Sequence, residues 1–222
     1  MSKLDKVLER IDQNLDQSLD RLFELLRIKS ISTDPEYKGD CRTAAEWMAR
    51  ELTAIGIPSE GRDTTGHPMV VGHRVADGKP GPHVLFYGHY DVQPVDPIEL
   101  WNADPFDPQI VTRDDGSKMI VARGANDDKG QLMTFVEAVR AWIEESGDLP
   151  INISVLLEGE EESGSPSLQP FLDANKEELS KDLALVCDTS MWDKDTPAIS
   201  VMLRGLVGEE ITLKGPSKDL HS

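Results

Sequence analysis

Apolar positions in the first thirty residues follow a helical rhythm. Leu4, Val7, Leu8, Ile11, Leu15, Leu19, Leu22, Leu25 and Leu26 are separated mainly by threes and fours, which puts them on one face of a helix. The spacing predicts one long amphipathic helix over 3–29, without the strict heptad of a coiled coil. Ser30-Ile31-Ser32-Thr33-Asp34-Pro35 ends it. A second helix is predicted over 40–55, with Asp40 as N-cap, Gly56 as stop and Ala44, Trp47, Met48, Leu52 and Ile55 on its buried face. Short apolar runs follow at 69–75 and 84–87, separated by a Gly/Pro turn at 78–82. A loop rich in Pro and Asp, carrying Trp101 and Phe106, leads to a hairpin, 110–113 and 119–122, turning at Asp114-Asp115-Gly116. Beyond it the pattern predicts a helix over 128–145, a buried strand over 151–157, a helix over 166–179, a buried strand over 183–186 and a further strand over 208–214.

Strands alternating with helices predict an α/β fold, a mixed and mostly parallel sheet flanked by helices. In such sheets, sites form beyond the C-terminal ends of the strands. Four segments of this chain bring chemistry to those ends. The run Val84-Leu85-Phe86-Tyr87 passes through Gly88 to His89 and Asp91. Residues two apart in an extended chain point the same way, so Asp91 can orient the His89 imidazole as carboxylates orient metal-ligating histidines. The other three are Asp127-Asp128 before the 128–145 helix, Glu160-Glu161-Glu162 after the 151–157 strand, and Asp188 after the 183–186 strand.

Each acidic segment alone has an ordinary explanation: a helix cap, a solvated loop, a turn. Together, at equivalent ends of successive strands, they would converge, and that many uncompensated carboxylates repel one another strongly. Divalent cations resolve the repulsion, and imidazole with carboxylate oxygens suits zinc, manganese or cobalt. Two such metals would need one bridging carboxylate, and a further carboxylate beside them could take a proton from water. Which of Glu160, Glu161 and Glu162 does what stays open at this point.

Charge and composition narrow the partners. The 222 residues contain 41 acidic and 23 basic side chains, a formal net charge of −18. That excess argues against nucleic acid or an anionic membrane as partner, and most of it reads as solvated surface. Nothing approaches the run of roughly 20 apolar residues that spans a membrane, and the charged N-terminus does not read as a signal peptide. Cys41 reads as a polar helix start and Cys187 as a buried strand end, so no disulfide is expected and a cytoplasmic location fits.

The motifs Tyr87-Gly88-His89-Tyr90-Asp91-Val92-Gln93-Pro94, Arg123-Gly124-Ala125-Asn126-Asp127-Asp128-Lys129-Gly130 and Glu158-Gly159-Glu160-Glu161-Glu162-Ser163-Gly164 resemble those of the zinc-dependent aminoacylase and carboxypeptidase metallopeptidase family. They are most similar to its carnosinase-like dipeptidase branch; Asp188-Thr189 and Asp219-Leu220-His221-Ser222 fall in the matching order. The resemblance implies a di-zinc exopeptidase-like catalytic lobe with two divalent metal ions, zinc first, manganese or cobalt as alternatives. It implies that His89 ligates one metal and Asp91 orients it, that Asp127 bridges both metals before a cis peptide bond, and that Asp188 ligates beside His89. Glu162 would ligate the other metal, Glu161 would be the general base, and His221, from a lid domain, would polarise the scissile carbonyl. Glu160 falls where the family varies and is left to the surface, as are the histidines His67, His73 and His83, read as surface or strand residues.

On that resemblance, 1–205 would be the N-terminal part of a catalytic metallohydrolase domain and 206–222 the start of a lid and dimerisation domain. A second-site His expected further downstream is not among these residues, so the stretch by itself is expected to be inactive. The implied activity of the full-length parent is hydrolysis of dipeptides or short peptides by metal-activated water, as a homodimer. The alternatives are an N-acyl amino acid amidohydrolase, which would share every one of these residues, and a non-catalytic metal-binding scaffold.

Overall fold

The computed structural model describes residues 2–76 and 78–218. The first compact unit runs from Met1 to Asp188, and a second begins at Thr189.

The first unit opens with α1 (Lys3–Gln13) and α2 (Leu15–Leu26), where one continuous helix is expected from the periodicity. Asn14 interrupts it, serving as C-cap of α1 and N-cap of α2. Asparagine competes for backbone hydrogen bonds and favours caps over helix interiors, and an apolar pattern is blind to a one-residue break that leaves its phase intact. A 3-10 turn over Pro35–Tyr37, capped by the Asp34 side chain, leads into α3 (Lys38–Ala54). The N-cap of α3 is therefore Tyr37, not Asp40. Gly56, at φ +85°, turns the chain away beyond α3, a conformation that favours glycine.

Five strands form the main sheet: β1 (Ser59–Arg62), β2 (Met69–Arg74), β3 (His83–His89), β6 (Asn152–Glu158) and β7 (Leu183–Val186), in the order β1-β2-β6-β3-β7. The sheet is mixed: β2 runs antiparallel to β1 and β6, and β3 runs parallel to β6 and β7. β1, Ser-Glu-Gly-Arg, has no apolar run to betray it and forms by pairing with β2. The hairpin β4 (Gln109–Thr112) and β5 (Lys118–Val121) stands apart as a two-stranded sheet, turning at Gly116.

One face of the main sheet carries Val70, Phe86, Val155 and Leu157 into a core with Leu25 and Leu26 of α2, Met48 and Leu52 of α3, and Leu132 and Val136 of α4 (Lys129–Ser146). Phe86 stacks on Phe135 across this layer. The other face packs Met69, Val71 and Leu156 under α5 (Leu168–Ala174) and α6 (Lys176–Leu179). These two are predicted as one helix; Asn175 caps both, its side-chain amide turned back to the Phe171 carbonyl at 2.8 Å. Helices cover both faces of the sheet, and β3 and β6 end at His89 and Glu158.

β7 has the predicted bounds but not the predicted burial. Leu183, Leu185 and Val186 are 55%, 42% and 50% exposed, because β7 is an edge strand with a neighbour on one side only. An apolar run reports the tendency to be covered, not whether a cover is there. In the second unit, among the described residues, 208–214 form no strand, and Ile211 and Leu213 stay exposed. A strand exists only through a partner's hydrogen bonds, and none of the described residues pairs with these. No helix among the described residues is long and apolar enough to cross a membrane. Cys41, at the start of α3, is fully buried rather than polar surface, and both it and Cys187 are free thiols.

Candidate metal centre

Gly88 lets two elements meet closely. A Cβ there would come within 2.9 Å of Asp128 Oδ2. The same oxygen accepts the His89 backbone N–H at 3.1 Å, tying the end of β3 to the N-terminus of α4. The Asp127–Asp128 peptide bond is cis, as the resemblance implies.

The His89 side chain is fully buried and lies between carboxylates on both of its ring nitrogens. Nδ1 lies 3.3 Å from Asp91 Oδ1 and 3.1 Å from the Asp91 carbonyl. Nε2 lies 3.1 Å from Asp127 Oδ1 and 3.7 Å from Asp188 Oδ2. Asp188 arrives here because β7 runs parallel to β3 and ends at the same edge of the sheet. Ligand atoms of His89, Asp127 and Asp188 all lie within 4.8 Å of one another. Asp127 and Asp188 are partly open to solvent, at 60% and 34% side-chain exposure, while His89 is not exposed at all. The cluster thus has a buried floor and an accessible mouth.

The donor set fits a divalent cation. An Nδ1–H donated to Asp91 leaves the Nε2 lone pair aimed at the two other carboxylates, the tautomer a metal requires. One imidazole and two carboxylates also match the ligand chemistry of zinc with a position left open. Electrostatics agree. Burial opposes a charged imidazole, but the hydrogen bond it donates to Asp91 and the charges of Asp91, Asp128 and Glu161 outweigh it and push the His89 pKa up to about 10. The pocket demands a positive charge, which a proton or a metal ion can supply.

Glu161 and Glu162 follow β6 in a 3-10 turn, Glu161–Ser163. Asp91 binds this turn as well as His89: its Oδ1 accepts from the Glu161 N–H at 3.3 Å and its Oδ2 from the Glu162 N–H at 3.1 Å. The Glu162 carboxylate accepts from Gln93 Nε2 at 2.8 Å. The Glu161 carboxylate has no hydrogen-bond donor among the described residues. Burial raises the pKa of both, partly offset for Glu161 by His89 and for Glu162 by the Gln93 hydrogen bond.

Glu160 is a correction. It is 5% exposed, not surface, and its carboxylate accepts the backbone N–H of His67 at 3.2 Å and that of Ser167 at 3.2 Å. It clamps the loop before β2 to the loop carrying Glu161 and Glu162. Among three consecutive glutamates the sequence contains no sign of which one turns inward. Of the remaining histidines, His67 is buried beside the Ser32 carbonyl, and His73 and His83 both bond Ser154 Oγ from β2 and β3. His221 lies outside the described residues.

The sequence profile of "Peptidase family M20/M25/M40" matches residues 85–215. The chain belongs to this family. Membership implies divalent metal ions as cofactor, and the cluster around His89 is a candidate ligand group for one. The "Cys-Gly metallodipeptidase dug1" of Schizosaccharomyces pombe is 35% identical over 231 aligned residues, covering 99% of this chain and 48% of that protein. The human "Beta-Ala-His dipeptidase" is 30% identical over 201 residues, covering 90% of this chain and 38% of that protein. Among solved structures, human carnosine dipeptidase 1 superposes with a TM-score of 0.75 at 29% identity, covering 86% of this chain and 42% of that one. The chain thus spans about half the length, or less, of the relatives it matches.

Proposed function

We propose that the full-length protein hydrolyses the peptide bond of dipeptides or short peptides in a metal-dependent reaction. The convergence of His89 Nε2 with Asp127 and Asp188 carries this reading, and relatives named as metallodipeptidases support the substrate class. His89, Asp127 and Asp188 would hold one divalent cation, and Asp127 with Glu162 would contribute to a second; zinc is the expected ion, with manganese or cobalt as alternatives. Bound there, the ions would supply Lewis-acid polarisation of the scissile carbonyl and acidify water at the site.

The chain's own residues then have separable tasks. Glu161 takes the proton from the attacking water and returns it to the leaving amine. Its carboxylate has no competing donor among the described residues, and its raised pKa suits a group that must both accept and release a proton. Asp91 keeps the His89 imidazole in the ligating tautomer and holds the Glu161-Glu162 backbone in register with it. The segment from 206 onward would begin a lid and dimerisation domain, with His221 polarising the carbonyl in a cytoplasmic homodimer.

The test is hydrolysis by the full-length protein, stripped of metal and then reloaded with zinc, manganese or cobalt. Cys-Gly and β-Ala-His are the first substrates, with N-acetyl amino acids as comparison. Metal-dependent release of free amino acids from the dipeptides is expected. Turnover confined to N-acyl substrates, or insensitive to chelation, would overturn the proposal.

A further inference from the structure

Three alternate residues, starting at the last residue of β3, face the candidate centre: His89, Asp91 and Gln93. The residues between them face the other way, Tyr90 and Val92 being fully buried in apolar surroundings. Tyr90 donates its hydroxyl to the Pro68 carbonyl at 2.5 Å, and Val92 pairs with Ile31. This anchoring fixes the direction of the alternate set. The first two members already have tasks. Gln93 has none assigned, yet its Nε2 donates twice to one residue: to Glu162 Oε2 at 2.8 Å and to the Glu162 carbonyl at 3.1 Å. The Glu162 N–H is held in turn by Asp91 Oδ2 at 3.1 Å. Both acceptors are oxygens, so only the amide nitrogen, not the amide oxygen, can face them.

We propose that Gln93 is a positioning residue for Glu162, holding one carboxylate oxygen so that the other stays available to a cation. This rests on the reading of Glu162 as a ligand. A glutamate side chain has several rotamers, and a ligand must be restricted to one. Asp91 restrains the Glu162 backbone; Gln93 restrains both the backbone and the carboxylate from a single amide. Partners of this kind behind a ligand typically change metal affinity about 10–100-fold.

The experiment is calorimetric titration of zinc into the metal-stripped full-length protein, comparing wild type, Gln93→Leu and Glu162→Ala. Gln93→Leu is expected to weaken one zinc equivalent about 10–100-fold and leave the other unchanged, with the melting temperature of the metal-free protein unaltered. Glu162→Ala is expected to lose the same equivalent altogether. If Glu162→Ala loses an equivalent while Gln93→Leu titrates like wild type, the positioning role is overturned and the ligand reading stands. If Gln93→Leu weakens both equivalents together, or lowers the melting temperature, its role is general packing and the proposal fails. If Glu162→Ala keeps both equivalents, Glu162 is no ligand and the proposal falls with that reading.

Discussion

Asp91 Oδ1 lies 3.3 Å from His89 Nδ1, and neither side chain is exposed to solvent. The two are tied to more than each other, since both Asp91 oxygens also receive backbone N–H groups from Glu161 and Glu162. Asp91→Asn keeps the shape but replaces one acceptor oxygen with a donor. It must lose either the imidazole contact or one of the two backbone contacts. We expect zinc affinity of the full-length protein to fall about 10–100-fold, read by competition with a chromogenic chelator. Unchanged affinity would show that His89 needs no orienting carboxylate.

Glu161→Gln separates proton transfer from metal binding. The amide cannot accept the proton of the attacking water, so turnover should fall by about 10²–10⁴-fold or more, while zinc stoichiometry stays at the wild-type value. Near-wild-type activity in this variant would assign the base elsewhere.

Glu160 supplies a test of the scaffold behind the site. Removing its carboxylate in Glu160→Ala leaves the backbone N–H groups of His67 and Ser167 without acceptors in a buried setting. Each orphaned group costs about 1–3 kcal/mol, so thermal unfolding should shift down by several degrees. Gly66→Ala should also be destabilising, because the new methyl collides with the Glu160 carboxylate. The double variant should then be less destabilised than the sum of the singles. Strict additivity would mean that the two do not meet in solution.

Glu178 predicts a pH dependence remote from the metal centre. Its hydrogen bond from Arg62 outweighs burial, and with a second from His73 it holds the carboxyl at about 2. The unfolded value is about 4.3, so the folded pKa is depressed. The stabilisation is therefore fully present above about pH 4.3 and is lost as pH falls toward 2. Glu178→Gln should lower the melting temperature at pH 7 by about 1–4 °C, the pair being partly solvent-screened. The difference should shrink below about pH 4 and close only as pH falls to 2. A gap that is undiminished at pH 2 would point to packing instead of charge.

Element identity was largely legible in the chain because burial imposes a period on the residues that do the burying. The strands over 69–74 and 152–158 and the helix after Asp128 show this directly. Breaks were not legible. Asn14 and Asn175 interrupt helices whose apolar faces stay in phase, so a periodicity has nothing to report there. Polar β1 was invisible because its strand character comes from pairing with β2.

The site divides along the same line. The candidates His89, Asp91, Asp127 and Asp188 could be picked from the sequence because each follows or precedes a periodic element, and strand ends are where chains leave the sheet; choosing Glu161 and Glu162 over Glu160 rested on the resemblance. That His89, Asp127 and Asp188 share one cluster is a matter of tertiary structure. It depends on β7 lying parallel beside β3 and on Asp128 packing against Gly88, relations between segments far apart in the chain. Tertiary structure also decided that Glu160 points inward while its neighbours do not, since three identical side chains differ only in what the fold sets beside them. A linear pattern records which residues avoid water. Which of them meet one another is settled by how the layers pack.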